Sequence, residues 1–172
     1  MKLITELSSI YSSLRKDNYH DWLQSNGFSY MKYDPTIPVY GIGIYIFTFV
    51  ENKDFDASWD EFAKNNPIPK RNKEVTKTNT NTDPSILYIG KSVCAPLNAR
   101  VKDHYTLAKH KKTYALKINA YNKFASTNNK IDPVCCMYIL QIDQAAELQG
   151  IYIRIIEEML HKVLTPKVGS SR

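Results

Sequence analysis

The sequence predicts an α/β domain of the α+β type, in which a small, mainly antiparallel sheet of three strands is flanked by helices. Segments rich in β-branched and aromatic residues predict the strands, at Tyr40–Val50, Ile86–Gly90 and Pro133–Ile142. Segments with helical spacing of apolar residues lie around them, and so small a sheet must be covered by helices. A length of 172 residues, 43% of them hydrophobic, suits one compact domain.

Residues 1–38 are predicted to form an N-terminal helical extension of this domain, which spans residues 39–172. Apolar residues at helical spacing predict one helix over residues 2–15. A second, short helix is predicted from Asn18 to about Ser25, where Asn26 and Gly27 supply a left-handed stop. Pro35 and Pro38 then indicate an irregular approach to the first strand.

An insertion of about residues 51–85 separates the first two strands. Asp56 is expected to cap a helix that runs through Asn65. The rest of the insertion, residues 66–85, is polar, bounded by prolines and nearly free of apolar residues. It can bury little surface, so we interpret it as a mobile loop.

Three further helices are predicted after the second strand. Pro96 suits the first turn of a helix that extends to about Lys109. The other two begin at capping residues, at Thr113 for a helix through Phe124 and at Asp143 for a long helix that ends before Pro166.

Composition narrows the class of protein. The formal net charge of +6 and the pI of about 9.1 raise the odds of a polyanionic partner, although charge alone is weak evidence. Cys94, Cys135 and Cys136 are odd in number, include an adjacent pair and lack CxxC spacing, which argues against disulfides and structural zinc. We therefore expect a reducing, cytoplasmic location, and we find no apolar stretch long enough to span a bilayer.

Gly90-Lys91-Ser92, at a strand-to-helix turn, resembles the end of a phosphate-binding P-loop. That motif needs a glycine five residues before Gly90, but position 85 is a serine and the residues between them form a predicted strand, not a loop. The sequence therefore argues against a nucleoside-triphosphatase.

A second set of residues is more specific. Gly43-Ile44-Tyr45 lies in the first predicted strand and Tyr88-Ile89-Gly90 in the second. Arg100 and His104 share one face of the next helix, and Glu157 lies on the last helix, nine residues before Pro166. Each of these residues alone has an ordinary structural explanation. Together, and in this order, they resemble the GIY-YIG nuclease family over about residues 40–169.

The resemblance implies a role for each of the matched residues. Tyr45 and Tyr88 correspond to the two tyrosines near the attacking water, and Arg100 to the arginine that contacts the scissile phosphate. His104 corresponds to a residue that assists proton transfer in some members. Glu157 corresponds to the carboxylate that holds one divalent cation, Mg²⁺ or Mn²⁺.

The chemistry of phosphodiester hydrolysis requires the same types of residue. A guanidinium can bind two phosphoryl oxygens, and a hard cation can polarise the phosphate. The general base could be Tyr45 or a histidine. Lys91 either adds positive potential or is a surface lysine.

Two departures from the family pattern stand out. Gly169 occupies the position, three residues after the proline, at which the family usually has an asparagine. This favours a weaker enzyme, a substitute from elsewhere in the chain, or lost activity. The long insertion is the other departure. Its cations, among them Lys70, Arg71 and Lys73, either contact nucleic acid or belong to a solvated loop.

We therefore expect a metal-dependent endonuclease that cleaves DNA, most of all double-stranded DNA. Its biological role would be restriction-like, in a mobile element or in repair. The alternative is a catalytically weak nucleic-acid-binding module with the same fold.

Overall fold

A computed structural model describes residues 11–65, 75–94, 96–106 and 115–169. Its helices and strands follow in the order α1 (Tyr19–Ser25), β1 (Phe28–Lys32), β2 (Gly43–Thr48), α2 (Phe55–Asn65), β3 (Ile86–Ser92), α3 (Leu97–Tyr105), α4 (Ile118–Phe124), β4 (Val134–Leu140) and α5 (Ala146–Leu164). Residues 11–13 are also helical, within the helix predicted over residues 2–15, whose first part lies outside the described residues.

The strands form one sheet in the order β1-β4-β2-β3, and every neighbouring pair is antiparallel. The predicted antiparallel sheet is confirmed, but the predicted number of three strands is wrong. The additional strand, β1, lies in the stretch that we assigned to a helical extension. It pairs only with β4, and only Phe28 among its five residues is buried. An edge strand of this kind lacks the apolar run that identifies a central strand.

Both faces of the central strand β2 are buried, which explains its continuous apolar sequence. Because successive side chains point to opposite faces, Tyr45 and Phe47 pack into one core and Ile44 and Ile46 into another. The first core also holds apolar residues of α2, α3 and α4. The second is covered by α5 and α1. The residues around Tyr45 are therefore held by helices on both sides of the sheet.

Several helix ends differ from their predictions. Helix α4 begins at Ile118 after Lys117 in a left-handed conformation, whereas the predicted cap, Thr113, lies outside the described residues. Helix α5 follows Ala145, so Asp143 is not its cap. Asp56 lies inside the first turn of α2, and its carboxylate accepts hydrogen bonds from Nζ of Lys167 at 3.0 and 3.1 Å. Asp56 is thus used in an ion pair that brings together distant parts of the chain.

Residues 75–85 pack against the body of the domain, which corrects the prediction of a mobile loop for this half of residues 66–85. Val75 is buried, and Nε1 of Trp59 donates a hydrogen bond to the Thr76 carbonyl at 3.0 Å. Oδ1 of Asp60 accepts hydrogen bonds from the backbone N–H and the hydroxyl of Thr78. Local composition could not reveal these partners. Lys70, Arg71 and Lys73 lie outside the described residues.

The segment after α5, residues 165–169, runs along β3. The backbone N–H groups of Lys167 and Val168 donate to the carbonyls of Ile86 and Leu87 at 2.8 and 2.9 Å. Val168 also forms an isolated bridge with Thr78. The late part of the chain and the insertion therefore meet at the β3 edge of the sheet.

Among the described residues, we find no helix with the length and apolar character that crossing a membrane requires.

Candidate active site

Three aromatic rings converge beside β3. Tyr45 comes from β2, Tyr88 from β3 and His104 from α3. The ring centroids of Tyr45 and Tyr88 are 6.2 Å apart, and the His104 ring lies 5.1 Å from Tyr45 and 4.9 Å from Tyr88. Tyr45 and His104 are fully buried or nearly so, whereas Tyr88 is half-buried. The predicted tyrosine pair and the predicted histidine are therefore neighbours.

Gly90 makes room for the Tyr45 ring. The two residues are opposite each other in the register of β2 and β3. A Cβ atom at position 90 would lie 2.5 Å from both Cζ and Oη of Tyr45. The packing of Tyr45 therefore requires a glycine at position 90.

We expect Gly90→Ala to destabilise the protein by about 1–3 kcal/mol, because the buried phenol must move away from His104 to admit a methyl group. Gly150→Ala is the matched control. Its Cβ would meet only Val93 at 3.8 Å, and alanine favours the α5 helix by about 0.5–1 kcal/mol. Urea unfolding of both variants measures the difference. Equal stabilities would contradict the packing role of Gly90.

Hydrogen bonds fix the tautomer of His104. The backbone N–H of Leu116 donates to Nδ1 at 3.1 Å, so Nδ1 carries no proton. In the neutral ring the proton is then on Nε2, which lies 2.9 Å from Oη of Tyr45 and donates to it. Burial, with a smaller contribution from the Arg100 charge, lowers the pKa of His104 to about 3. The imidazole therefore orients the Tyr45 phenol and has no unshared nitrogen lone pair facing a water molecule.

Buried neutral histidines make stability depend on pH. Burial lowers the pKa of His161, on α5, to about 4, as it lowers that of His104 to about 3, whereas an unfolded histidine titrates near 6.5. Below pH 6.5 the unfolded chain binds protons that the native chain does not. We therefore expect the free energy of unfolding to fall as the pH falls from 6.5 towards 4. Each ring contributes up to about 1.4 kcal/mol per pH unit.

Urea midpoints at pH 7, 6, 5 and 4.5 measure this dependence. The variant His104→Gln lacks one titrating ring and should show a shallower slope than the parent protein. Parallel pH profiles for the two proteins would contradict the neutral state of His104.

Arg100 lies one turn before His104 on α3, and its side chain is partly exposed. Nη1 is 3.9 Å from Oδ2 of Asp103, a loose contact that is compatible with binding an anion. Burial raises the pKa of Tyr45 well above its usual value, Tyr88 and Glu157 act in the same direction, and Arg100 opposes them. Arg100 and Glu157 are thus both close enough to act on the same phenol.

Glu157 reaches the β3 edge from α5, where its carboxylate forms an ion pair through Oε2 with Nζ of Lys91. Only 6% of Glu157 is exposed, and burial raises the pKa of its carboxyl group while Lys91 opposes the shift. Glu158, by contrast, is exposed and pairs with Lys162 at 3.1 Å. Glu157 is therefore the buried glutamate of this pair, and it is held at β3 by its ion pair with Lys91.

A single carboxylate can anchor a hydrated divalent cation. Among the residues that the structure describes, no group of three or more His, Cys, Asp or Glu side chains could hold a metal ion. Mg²⁺ is nevertheless often bound by one or two carboxylates, with water and substrate oxygens completing its shell. The ion pair with Lys91 involves Oε2 of Glu157. Of the side chains that the structure describes, the Glu157 carboxylate fits such a cation, with water and substrate as its other ligands.

Gly169 has a packing role that excludes the asparagine of the family pattern. Its φ is +89°, and a Cβ atom there would lie 2.6 Å from Cε2 of Tyr88. An amide lies nearby nonetheless, because Nδ2 of Asn79 donates to the carbonyls of Gly169 and Pro166 at 2.6 and 2.9 Å. Asn79 thus holds the segment that contacts Tyr88. Sequence reasoning missed it, since an asparagine in a polar loop carries no signal of a contact 90 residues away.

We expect Asn79→Asp to destabilise the protein by about 1–3 kcal/mol, because a carboxylate cannot donate to the two carbonyls. Amide hydrogen exchange at Lys167 and Val168 should accelerate with it. Asn81→Asp, which makes the same charge change on an exposed residue of the same loop, is the control. Unchanged amide hydrogen exchange in Asn79→Asp would contradict the role of Asn79 in holding residues 166–169.

Comparisons of this chain with protein-family models, with curated proteins and with solved structures find no match.

Proposed function

We propose that this chain is a metal-dependent endonuclease of the GIY-YIG type that hydrolyses phosphodiester bonds in DNA. The observation that carries the proposal is the cluster of Tyr45, Tyr88 and His104 beside β3, with Arg100 one turn before His104 on α3 and Glu157 paired with Lys91 of β3. These side chains come from four different elements and from positions more than 100 residues apart. The net charge of +6 suits a polyanionic substrate.

Arg100 would bind the scissile phosphate. Its planar guanidinium can donate to two phosphoryl oxygens, on which negative charge builds as the phosphodiester is attacked. Its partial exposure and its loose contact with Asp103 leave it able to make those bonds. Lys91 adds positive potential beside Glu157.

Glu157 would hold the divalent cation. When bound, such a cation supplies Lewis acidity to the phosphate and to the leaving oxygen. Burial of Glu157 in a largely apolar setting strengthens its attraction for a positive charge. The ammonium of Lys91 remains nearby and balances the carboxylate when no cation is present.

Tyr45 and Tyr88 would position the attacking water. The Nε2–H of His104 donates to Oη of Tyr45, so the phenol is fixed while its own O–H is not used in that bond. Burial raises the pKa of Tyr45, which disfavours a phenolate in the resting protein. In this proposal His104 is a positioning residue, and proton removal from Tyr45 depends on the positive charge of Arg100 and of the cation that Glu157 would hold.

A catalytically weak nucleic-acid-binding module with the same fold is the second candidate. The ion pair between Lys91 and Glu157 favours it, because a paired carboxylate gives up part of its attraction for a cation. In that case DNA would bind at low salt without being cut.

Nicking of supercoiled plasmid tests the proposal. The protein should nick in the presence of Mg²⁺ or Mn²⁺ and not in the presence of EDTA. A double variant, Glu157→Gln with Arg100→Ala, purified in parallel, should leave the plasmid intact. Equal nicking by both proteins would reject the proposed site, and DNA binding without nicking by the parent protein would favour the binding module.

A further inference from the structure

A cavity of about 300 Å³ opens beside the candidate active site, between the end of α5 and the insertion. His161, Thr165 and Gly169 line one side of it, and Asn79, Thr80 and Thr82 line the other. This volume is at the lower end of the range of about 300–1,000 Å³ that ligand pockets span. The cavity is large enough for a small planar group.

The cavity wall contains buried polar atoms that lack partners. Nε2 of His161 and Oγ1 of Thr165 are both buried and make no hydrogen bond within the described part of the chain. His161 itself is only 9% exposed. Leaving a buried donor or acceptor unpaired is costly, so such groups in a cavity wall point to a ligand that satisfies them.

The cavity is contiguous with the residues assigned to cleavage. Gly169, in its wall, lies directly against the Tyr88 ring. His161 is one helical turn beyond Glu157 on α5 and near enough to Lys91 for that charge to act on its ring. A group bound in the cavity would therefore be a near neighbour of the phosphate at Arg100 and Glu157.

The chemistry of the lining favours a base over a phosphate. A phosphate subsite requires positive charge, and the cation in this lining, Lys162, is exposed and paired with Glu158. The other polar groups are hydroxyls, an amide and an imidazole that burial keeps neutral, with one nitrogen a donor and the other an acceptor. The edge of a nucleobase presents donors and acceptors of this kind.

We propose that this cavity is a subsite for one nucleobase of the cleaved strand, so that the preferred substrate is DNA with an unpaired nucleotide beside the scissile phosphate. The inference rests on the proposed nuclease function. A base within a duplex is stacked and paired and cannot enter a side pocket, whereas an extrahelical or single-stranded base enters at little cost. His161 and Thr165 would hydrogen-bond its edge.

Binding of fluorescent duplexes tests this subsite in the Glu157→Gln background, where cleavage is suppressed. One duplex carries a single-nucleotide bulge, and the other carries an abasic residue at the same bulge, with the same backbone and charge. We expect the base-containing bulge to bind about tenfold more tightly, the size of effect that one or two well-formed hydrogen bonds produce. Adding His161→Phe or Thr165→Val should reduce the preference to about twofold or less.

His20→Phe is the matched control. It removes an imidazole that contacts Tyr30 and Tyr138 near the β1 edge, opposite the β3 edge of the sheet, and it should keep the preference. Thermal melting of each variant checks that it folds. If His161→Phe does not fold, Thr165→Val, which preserves the shape of the side chain, provides the test. Equal affinity for both duplexes in a protein that cleaves DNA would overturn the subsite alone. A protein that neither binds nor cleaves any duplex would overturn the nuclease as well.

Discussion

Glu157→Gln is expected to lower the rate of Mg²⁺-dependent plasmid nicking by at least about 100-fold. The substitution preserves the shape of the side chain but removes the negative charge that would hold the cation, and the Lewis acidity of such a cation is worth several kcal/mol at about 1.4 kcal/mol per factor of ten. Raising the Mg²⁺ concentration should recover part of the rate, because the defect lies in cation affinity.

Glu158→Gln provides the control for this experiment. It changes the same chemical group at the next position of the same helix, but Glu158 is exposed and pairs with Lys162. Its nicking rate should stay within about twofold of the parent protein, as for a surface ion pair. Similar rates for the two variants would remove Glu157 from the site.

Arg100→Ala is expected to lower kcat by about 100-fold with a smaller effect on KM. Loss of one preorganised donor to a developing oxyanion costs about 10²–10³ in kcat, and the charge on the phosphoryl oxygens is greatest in the transition state. Arg100→Lys should recover the rate only in part, because an ammonium cannot bind two oxygens in one plane.

Lys102→Ala tests whether positive charge on α3, without the geometry of Arg100, accounts for the effect on kcat. Lys102 is an exposed cation on the same helix, and its removal should weaken DNA affinity slightly and leave kcat unchanged. A loss of kcat in Lys102→Ala that equals the loss in Arg100→Ala would mean that the helix contributes only general electrostatic attraction.

Elements with strong local signals could be predicted from the sequence. Strand β2 is buried on both faces, so its apolar run can be recognised in the sequence. Glu157 lies beside the apolar stripe of α5, which distinguishes it from Glu158. Strand β1 was not predicted because an edge strand with one buried residue has no such pattern.

Contacts that depend on tertiary structure could not be predicted. Asn79 lies in a polar loop, and its role arises only when residues 166–169 fold back along β3. His161 shares the face of α5 that holds Glu157, but its unpaired nitrogen depends on what surrounds it in the folded chain. The partners of both residues are remote in sequence, and periodicity carries no information about them.

The late position of Gly169 and Glu157 affects when the protein can first act during its synthesis. Chains emerge from the ribosome amino end first, and Tyr45, Tyr88 and Arg100 are made well before α5. Until residues 165–169 have emerged and joined β3, Tyr88 lacks its contact with Gly169. In the proposed nuclease, a nascent chain would therefore carry the tyrosines and the arginine before the glutamate that would hold the cation, and it would not cut nucleic acid until α5 had emerged.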